Sequence, residues 1–173
     1  MTFDIKTAAE LIALDMEGRQ ADRRAARESG LMRTIFRSFV AWTDPVRVED
    51  IAAAFRDRPA ESAVEQLAKL NEEDLIRIRD GRVDLAYPFS ASPTSFVVDL
   101  GGRRGERYAC CAIDALGLAP MLGQSVHIRS RCHHCAAPLQ LSVDPSGPGP
   151  EATDVMVWVG RRAEDERRAC DAL

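Results

Sequence analysis

The chain has 173 residues, of which 46% are hydrophobic and 29% are charged, and its formal net charge is −4. This length allows one or two domains with a real core, and the composition is ordinary for a globular protein. The net negative charge gives no reason to expect nucleic acid as a partner. The apolar runs fall far below the ~20 residues that span a bilayer, and the N-terminal stretch lacks the basic start of a secretory signal. We therefore expect a cytoplasmic protein that does not bind membranes.

The first part of the chain is predicted to be helical. Apolar residues recur at helical spacing in residues 3–14 and again in LMRTIFRSFVAW (31–42), which the sequence TDP ends. Two further helices are predicted, a short one at 46–55 and a longer one within 59–75.

The segment LIRIRDGRVDLAYPF (75–89) alternates around Asp80-Gly81, which is a strong β-hairpin signal. Helices followed by a two-stranded hairpin are the order of a winged helix-turn-helix. We assign a helical, winged-helix-like domain to residues 1–86.

A winged helix raises the question of DNA binding, which the charge of its would-be recognition helix argues against. Residues 59–76 carry five acidic side chains and one basic side chain: Glu61, Glu65, Glu72, Glu73 and Asp74 against Lys69. Such a face repels phosphate, whose neutralisation supplies much of DNA affinity. We do not expect DNA as a partner, although the helical order keeps a DNA-reading regulator open as an alternative.

From about residue 87 the pattern changes to that of β-strands. Four strands are predicted, at 95–100, 125–130, 138–143 and 154–160. The segment RYACCAIDALGLAPMLG (107–123) lies between the first two strands and is the helix candidate of this region. The predicted fold class is therefore α+β. The winged-helix-like domain precedes a domain at 87–173, which has a mixed or antiparallel sheet and one inserted helix.

The cysteines are confined to this second region. Their number is odd and the compartment is expected to be reducing, which argues for thiol or metal chemistry over a disulfide framework. The five are Cys110, Cys111, Cys132, Cys135 and Cys170.

Cys111 and Asp114 are the first pair that could carry chemistry. If 109–118 is helical, they stand at i and i+3 on one face, while Cys110 faces about 100° away. A carboxylate raises the pKa of a thiol and no His stands nearby in sequence, so protease-like catalysis fits poorly. Thiolates bind soft metal ions and a carboxylic acid can deliver a proton, which suits a soft metal as substrate. The alternative is that both cysteines are core residues and Asp114 caps the helix or faces water.

The sequence leaves the roles of the other cysteines open. Cys132 and Cys135 form a C-x2-C pair with His133 and His134 between them, and these histidines cannot easily join the cysteines around one ion. The pair is half of a zinc knuckle or a reduced turn between strands. Cys170 lies in a charged tail, where it either folds back on the site or is incidental.

The residues 87–132, YPFSASPTSFVVDLGGRRGERYACCAIDALGLAPMLGQSVHIRSRC, closely resemble the central segment of organomercurial (alkylmercury) lyases. The resemblance implies protonolysis of a carbon–mercury bond, with organomercurials as substrates and no cofactor. It implies that Cys111 and Cys170 are the two thiolates that take the mercury and that Asp114 donates the proton to the leaving carbon. It also implies that Hg(II) then leaves to a cellular thiol, and that the N-terminal region is a packing domain.

Three features depart from the family pattern. The Cys132 and Cys135 pair lies in a loop where the resemblance predicts a single Cys. Cys110 stands where the resemblance predicts a bulky aromatic residue, so an extra thiol is expected in the pocket. The family's chain continues well past its second cysteine, so this sequence, which ends three residues after Cys170, is expected to be a C-terminally shortened member. Its activity is expected to depend on that shortening. An inactive lyase homologue and a soft-metal- or thiol-responsive regulator remain the alternatives.

Overall fold

A computed structural model of the chain describes residues 30–55, 60–102 and 105–157. The helix predicted at 3–14 and Cys170 lie outside these residues, as does the end of the strand predicted at 154–160.

Three helices lie in the first half of the described chain. They are α1 (Gly30–Ala41), α2 (Val48–Ala54) and α3 (Ala60–Glu72). The apolar stripe that predicts α1 is the face it buries, at Leu31, Met32, Ile35 and Phe39. Helix α2 begins later than predicted because Val46–Arg47 forms a short strand, β1, that pairs with a distant strand.

The hairpin predicted around Asp80-Gly81 is confirmed. Strands β2 (Ile76–Arg79) and β3 (Arg82–Ala86) pair antiparallel across it. Asp80 and Gly81 have φ values of 49° and 71°, the left-handed conformations that a two-residue type I′ turn requires.

The strands of the described residues form one nine-stranded sheet with antiparallel pairing, and the α+β class is confirmed. Its remaining strands are β4 (Phe89–Ser90), β5 (Val97–Asp99), β6 (Glu106–Ala109), β7 (Val126–Arg131), β8 (Pro138–Asp144) and β9 (Gly147–Pro148). The strand order is β1-β3-β4-β6-β5-β7-β8-β9, and β2 also pairs with β3. Because β3 pairs with β4, the sheet runs across the domain boundary predicted after residue 86. That division and the winged-helix name stay predictions.

Two predicted elements are corrected. The first residues of the predicted helix 107–123 form the end of β6, and helix α4 spans only Ala112–Leu122. β6 pairs with β5 through a nonlocal ladder, which outweighs the local helical pattern. Residues 154–157 form turn and coil instead of the first half of a strand.

The larger of two hydrophobic clusters among the described residues joins the helices to the sheet. Phe89 of β4 is buried and packs on α1, with its ring centroid 5.4 Å from that of Phe36 and 6.3 Å from that of Phe39. The same core includes Leu67 of α3 and Leu118 of α4, both almost fully buried. The position of α4 on the sheet is therefore coupled to the packing of the N-terminal helices.

Arg107 of β6 fastens the end of α1 to the sheet. Its side chain is buried, with Nε donating to the carbonyl of Phe39 at 2.9 Å and Nη2 to that of Val40 at 2.9 Å. These carbonyls belong to the last turn of α1, where helices lack internal donors and where a positive charge is favourable. A third hydrogen bond runs from Nη1 to the carbonyl of Glu106 at 2.7 Å.

Across the ranges that the structure describes, no helix is long and apolar enough to cross a membrane.

Replacing Arg107 with Ala should lower the free energy of unfolding by about 3 kcal/mol, because a buried and a partly buried carbonyl of α1 lose their charged donor. Arg129→Ala on β7, which is separated from β6 by β5, is the matched control, since among the described residues the Arg129 side chain forms an exposed ion pair with Glu106. Urea denaturation followed by circular dichroism measures both variants. Equal destabilisation by the two variants would contradict this role for Arg107.

Candidate active site

Cys110 and Cys111 connect β6 to α4. Cys111 has extended backbone angles, φ −150° and ψ −179°, and is the N-cap residue of the helix. Its carbonyl accepts the N–H of Ala115 at 2.9 Å, which starts the helical hydrogen-bond ladder. Its thiol therefore lies at the positive end of the helix dipole, a position that favours a thiolate.

The structure brings Cys111 and Asp114 together. Asp114 lies in the first turn of α4, and its Oδ2 accepts a hydrogen bond from the Cys111 thiol at 3.0 Å. The i, i+3 spacing predicted this contact, although Cys111 precedes the helix and does not lie inside it. The proton of the Cys111 thiol therefore lies beside the Asp114 carboxylate, which can accept it.

Burial and the carboxylate keep the Cys111 thiol protonated. Partial burial is the larger cause and the hydrogen bond to the Asp114 carboxylate the next, and together they raise the pKa of Cys111 to about 11. Backbone N–H groups of Ile113 and Asp114 act in the opposite direction but are outweighed. The helix terminus alone therefore does not make this thiol a free thiolate at neutral pH.

The two cysteines stand in the wall of a cleft of about 470 Å³. Its other lining residues are mostly small or hydroxylated: Arg77, Leu85, Ser90, Ser92, Pro93, Thr94, Ser95 and Phe96. The prediction that Cys110 lies on another face of the helix is wrong, because neither cysteine belongs to the helix. Cys110 is buried and lines the same cleft as Cys111.

The loop between β4 and β5 forms one wall of the cleft, and sequence reasoning assigned it no role. The hydroxyl of Thr94 donates to the carbonyl of Ala109 at 2.6 Å, which holds the loop against the end of β6. The hydroxyl of Ser90 accepts the N–H of Ser92 at 3.1 Å and closes a local turn. The run of Ser, Thr and Pro in residues 90–95 is the sequence signal for this turn-rich wall.

Arg77 also lines the cleft and was not predicted. It is buried on β2 and forms a two-point ion pair with Asp84, with Nε–Oδ1 at 2.8 Å and Nη2–Oδ2 at 3.0 Å. This geometry is the planar fork that Arg makes with a carboxylate. Its charge is therefore balanced by Asp84 beside the cleft, so the cleft is not a simple anion site.

Cys132 and Cys135 lie elsewhere, on the turn between β7 and β8. Hydrogen bonds from the backbone N–H groups of Cys135 and His134 lower the pKa of Cys132. Among residues 30–55, 60–102 and 105–157, no group of three or more His, Cys, Asp or Glu side chains could hold a metal ion. Structural zinc takes four ligands, so zinc at this pair stays a prediction with two thiols to support it. Cys170 lies outside the described residues.

Comparison with known proteins places these features in a family. The family model of alkylmercury lyases, MerB, matches residues 89–173. The alkylmercury lyase of Staphylococcus epidermidis is 35% identical over 121 residues, covering 68% of this chain and 53% of its own length. The alkylmercury lyase of Bacillus cereus is 32% identical over 118 residues, covering 66% of this chain and 51% of its own.

This chain belongs to the alkylmercury lyase family. It spans about half the length of the relatives it matches. The crystal structure of the mercury-bound form of MerB2 superposes with a TM-score of 0.58 and 28% identity, over 69% of this chain and 56% of that one. The part matched by the lyase family model includes Cys111 and Asp114, whereas Arg77 precedes it.

The raised pKa of Cys111 predicts how this member of the lyase family reacts with iodoacetamide. Alkylation of Cys111 should rise about tenfold per pH unit and level off only near pH 11, because only the thiolate reacts. Asp114→Asn leaves the burial of Cys111 in place but removes the negative charge that adds to this raised pKa, so its profile should shift to lower pH. Fragmentation of the labelled peptide in tandem mass spectrometry assigns the alkylation to Cys111 or to the adjacent Cys110.

Asp99→Asn is the control, because Asp99 accepts the N–H of Gly101 at 2.8 Å and does not line the cleft. Its alkylation profile at Cys111 should match that of the unmodified sequence. A midpoint that stays unchanged in Asp114→Asn would show that the carboxylate does not govern the thiol.

Proposed function

We propose that this protein is an organomercurial lyase, which cleaves a carbon–mercury bond by protonolysis and yields a hydrocarbon and Hg(II). The observation that carries the proposal is the hydrogen bond from the Cys111 thiol to the Asp114 carboxylate in the wall of the cleft. Sulfur is the donor that a soft metal prefers, and the carboxyl group is a proton carrier at contact distance. Membership of the alkylmercury lyase family supports the same reaction.

The first step is the capture of mercury by Cys111. As the sulfur forms its bond to mercury, the thiolate or halide that the organomercury cation carried leaves as an anion, and the thiol proton moves along the 3.0 Å contact to Oδ2 of Asp114. The raised pKa of Cys111 ensures that this proton is present before the substrate arrives. Capture thus converts a carboxylate into a carboxylic acid, the form that is able to protonate carbon.

The second step is protonolysis. We propose Cys170 as the second thiolate on mercury, a role that rests on the family resemblance, because this residue lies outside the described part of the chain. Two thiolates increase the electron density on mercury and weaken its bond to carbon. The electron pair of the carbon–mercury bond takes the proton from Asp114, the hydrocarbon leaves, and the carboxylate is restored. Hg(II) remains on the two sulfurs until cellular thiols remove it, so no redox cofactor is needed.

The lining of the cleft suits a small organic group. Apart from the balanced Arg77–Asp84 pair, it presents apolar and hydroxyl-bearing side chains and has a volume of about 470 Å³. Substrate pockets of this kind are largely apolar, with a few positioned polar groups. We propose alkyl- and arylmercury compounds as the substrates and Cys110 as an additional thiol within reach of the cleft.

The helical part of the chain, residues 1–86, is proposed to be a winged-helix-like packing domain. Helix α3 carries Glu65 and Glu72 on exposed positions and is followed by the exposed Glu73, with Lys69 as the counter-charge. The acidic surface supports packing over DNA reading, since phosphate would be repelled. The protein is proposed to act in the cytoplasm, where thiols are available as mercury acceptors.

The test is release of benzene from phenylmercury by the reduced full chain in excess thiol, measured by gas chromatography. Cys111→Ser and Asp114→Asn should each lower the rate by at least about 100-fold, because each removes a group that takes part in bond making or proton delivery. Asp114→Asn should still bind phenylmercury, since its sulfur ligands remain. Asp99→Asn serves as the matched carboxylate control and should keep its rate.

Mercury that stays bound to the unmodified chain without benzene release would contradict the lyase proposal and favour a binding protein. Benzene release that is unaffected in Cys111→Ser would contradict the site.

A further inference from the structure

The turn that joins β7 to β8 carries two thiols that the proposed reaction does not use. We call residues 132–137 the dithiol turn. Both Cys132 and Cys135 are free, the first half-buried and the second exposed, so both can be reached from solvent. The cleft lining does not include either of them.

Backbone hydrogen bonds hold the dithiol turn in one shape. The N–H of Cys132 donates to the carbonyl of Ala137 at 2.8 Å, and the N–H of Ala136 donates to the carbonyl of Cys132 at 2.8 Å. Ala136 has a left-handed φ of 57°, which lets the chain reverse within these few residues. The guanidinium of Arg131 adds a contact to the carbonyl of Ala136 at 3.3 Å.

This shape places the two cysteines in one short turn. The hydrogen bond from the N–H of Ala136 to the carbonyl of Cys132 closes a turn over residues 132–136, which contains both side chains. The C-x2-C spacing is the one at which two sulfurs of a turn bind one metal ion. The turn is thus organised for two sulfur ligands before any ion arrives.

The number of donors decides which ions fit. Zinc in structural sites is bound by four ligands. Among the residues that the structure describes, no third side-chain donor lies with the two cysteines. Hg(II) is satisfied by two thiolates in a linear arrangement and is among the softest of cations. Two thiolates also balance its charge, so no further acidic residue is needed.

We propose that the dithiol turn is a second soft-metal site, which binds Hg(II) between the sulfurs of Cys132 and Cys135 and lies apart from the cleft. Hg(II) that arrives on two small thiols is transferred by exchange. Two mercury–sulfur bonds to the turn form, the two to the carrier break, and the two cysteine protons go to the departing thiolates. The exchange involves no change of oxidation state and does not depend on lyase activity.

The first test counts Hg(II) on the reduced full chain after gel filtration in the presence of a competing monothiol. Removing both sulfurs, in Cys132→Ser/Cys135→Ser, should lower the bound mercury by one ion per chain. A single substitution at either position should weaken the binding of that ion more than tenfold, since the second sulfur acts at high effective concentration. Mercury content is measured by inductively coupled plasma mass spectrometry.

The matched control is His133→Ala/His134→Ala, which alters the same turn and keeps both sulfurs. It should retain the full mercury content, and a loss equal to that of the double serine variant would overturn the two-sulfur assignment. Equal mercury content in the double serine variant and the unmodified chain would overturn the site itself. Stoichiometric zinc in the purified protein that disappears in the double serine variant would overturn the choice of a two-coordinate ion.

Benzene release from phenylmercury separates this site from the cleft. With excess thiol present, Cys132→Ser/Cys135→Ser should release benzene at the unmodified rate. A fall in that rate comparable to that of Cys111→Ser would place the pair in the catalytic cleft and overturn a separate site. If the unmodified chain releases no benzene, the mercury count still decides whether the turn binds Hg(II).

Discussion

The pairing of β4 with β6 is the contact on which the site depends. It sets Phe89 opposite Ala109 and Ser90 opposite Tyr108, and the N–H of Cys110 continues it with a bond to the carbonyl of Pro88 at 2.9 Å. The ladder therefore ends where the two cysteines begin, and the loop that follows β4 lies against them. Because Phe89 is also buried on α1, the same short strand ties the cleft to the hydrophobic core.

A site on such a frame can hold a reactive pair in a set geometry. Cys111 is fixed by its place between the end of β6 and the first turn of α4, and Asp114 by the helix itself. Neither side chain needs to reorganise for a proton to pass between them. Groups positioned in advance make proton transfer effective, and rigid elements position them better than loops do.

The two thiol environments of this protein differ in a way that suits different tasks. Cys111 is partly buried beside a carboxylate, which raises its pKa and keeps its proton until mercury displaces it. Cys132 receives backbone N–H donors in an exposed turn, which lowers its pKa and favours exchange with thiols in solution. Cys111 therefore keeps its proton until mercury binds, because it is partly buried beside a carboxylate. Cys132 exchanges its ligands more readily, because it is accessible and receives N–H donors.

Local sequence determined the features whose causes are local. The stripe of α1, the Asp80-Gly81 turn and the i, i+3 contact of Cys111 with Asp114 follow from helical period, left-handed turn residues and helix geometry. Tertiary structure decided what depends on distant partners. The pairing of β5 with β6 turned residues predicted as helix into strand. The β2–β3, β3–β4 and β4–β6 ladders together brought Arg77, the hydroxyl-rich loop and Cys110 to one cleft. Residues far apart in sequence meet only when a sheet pairs them, and no local pattern in a single sequence encodes that pairing.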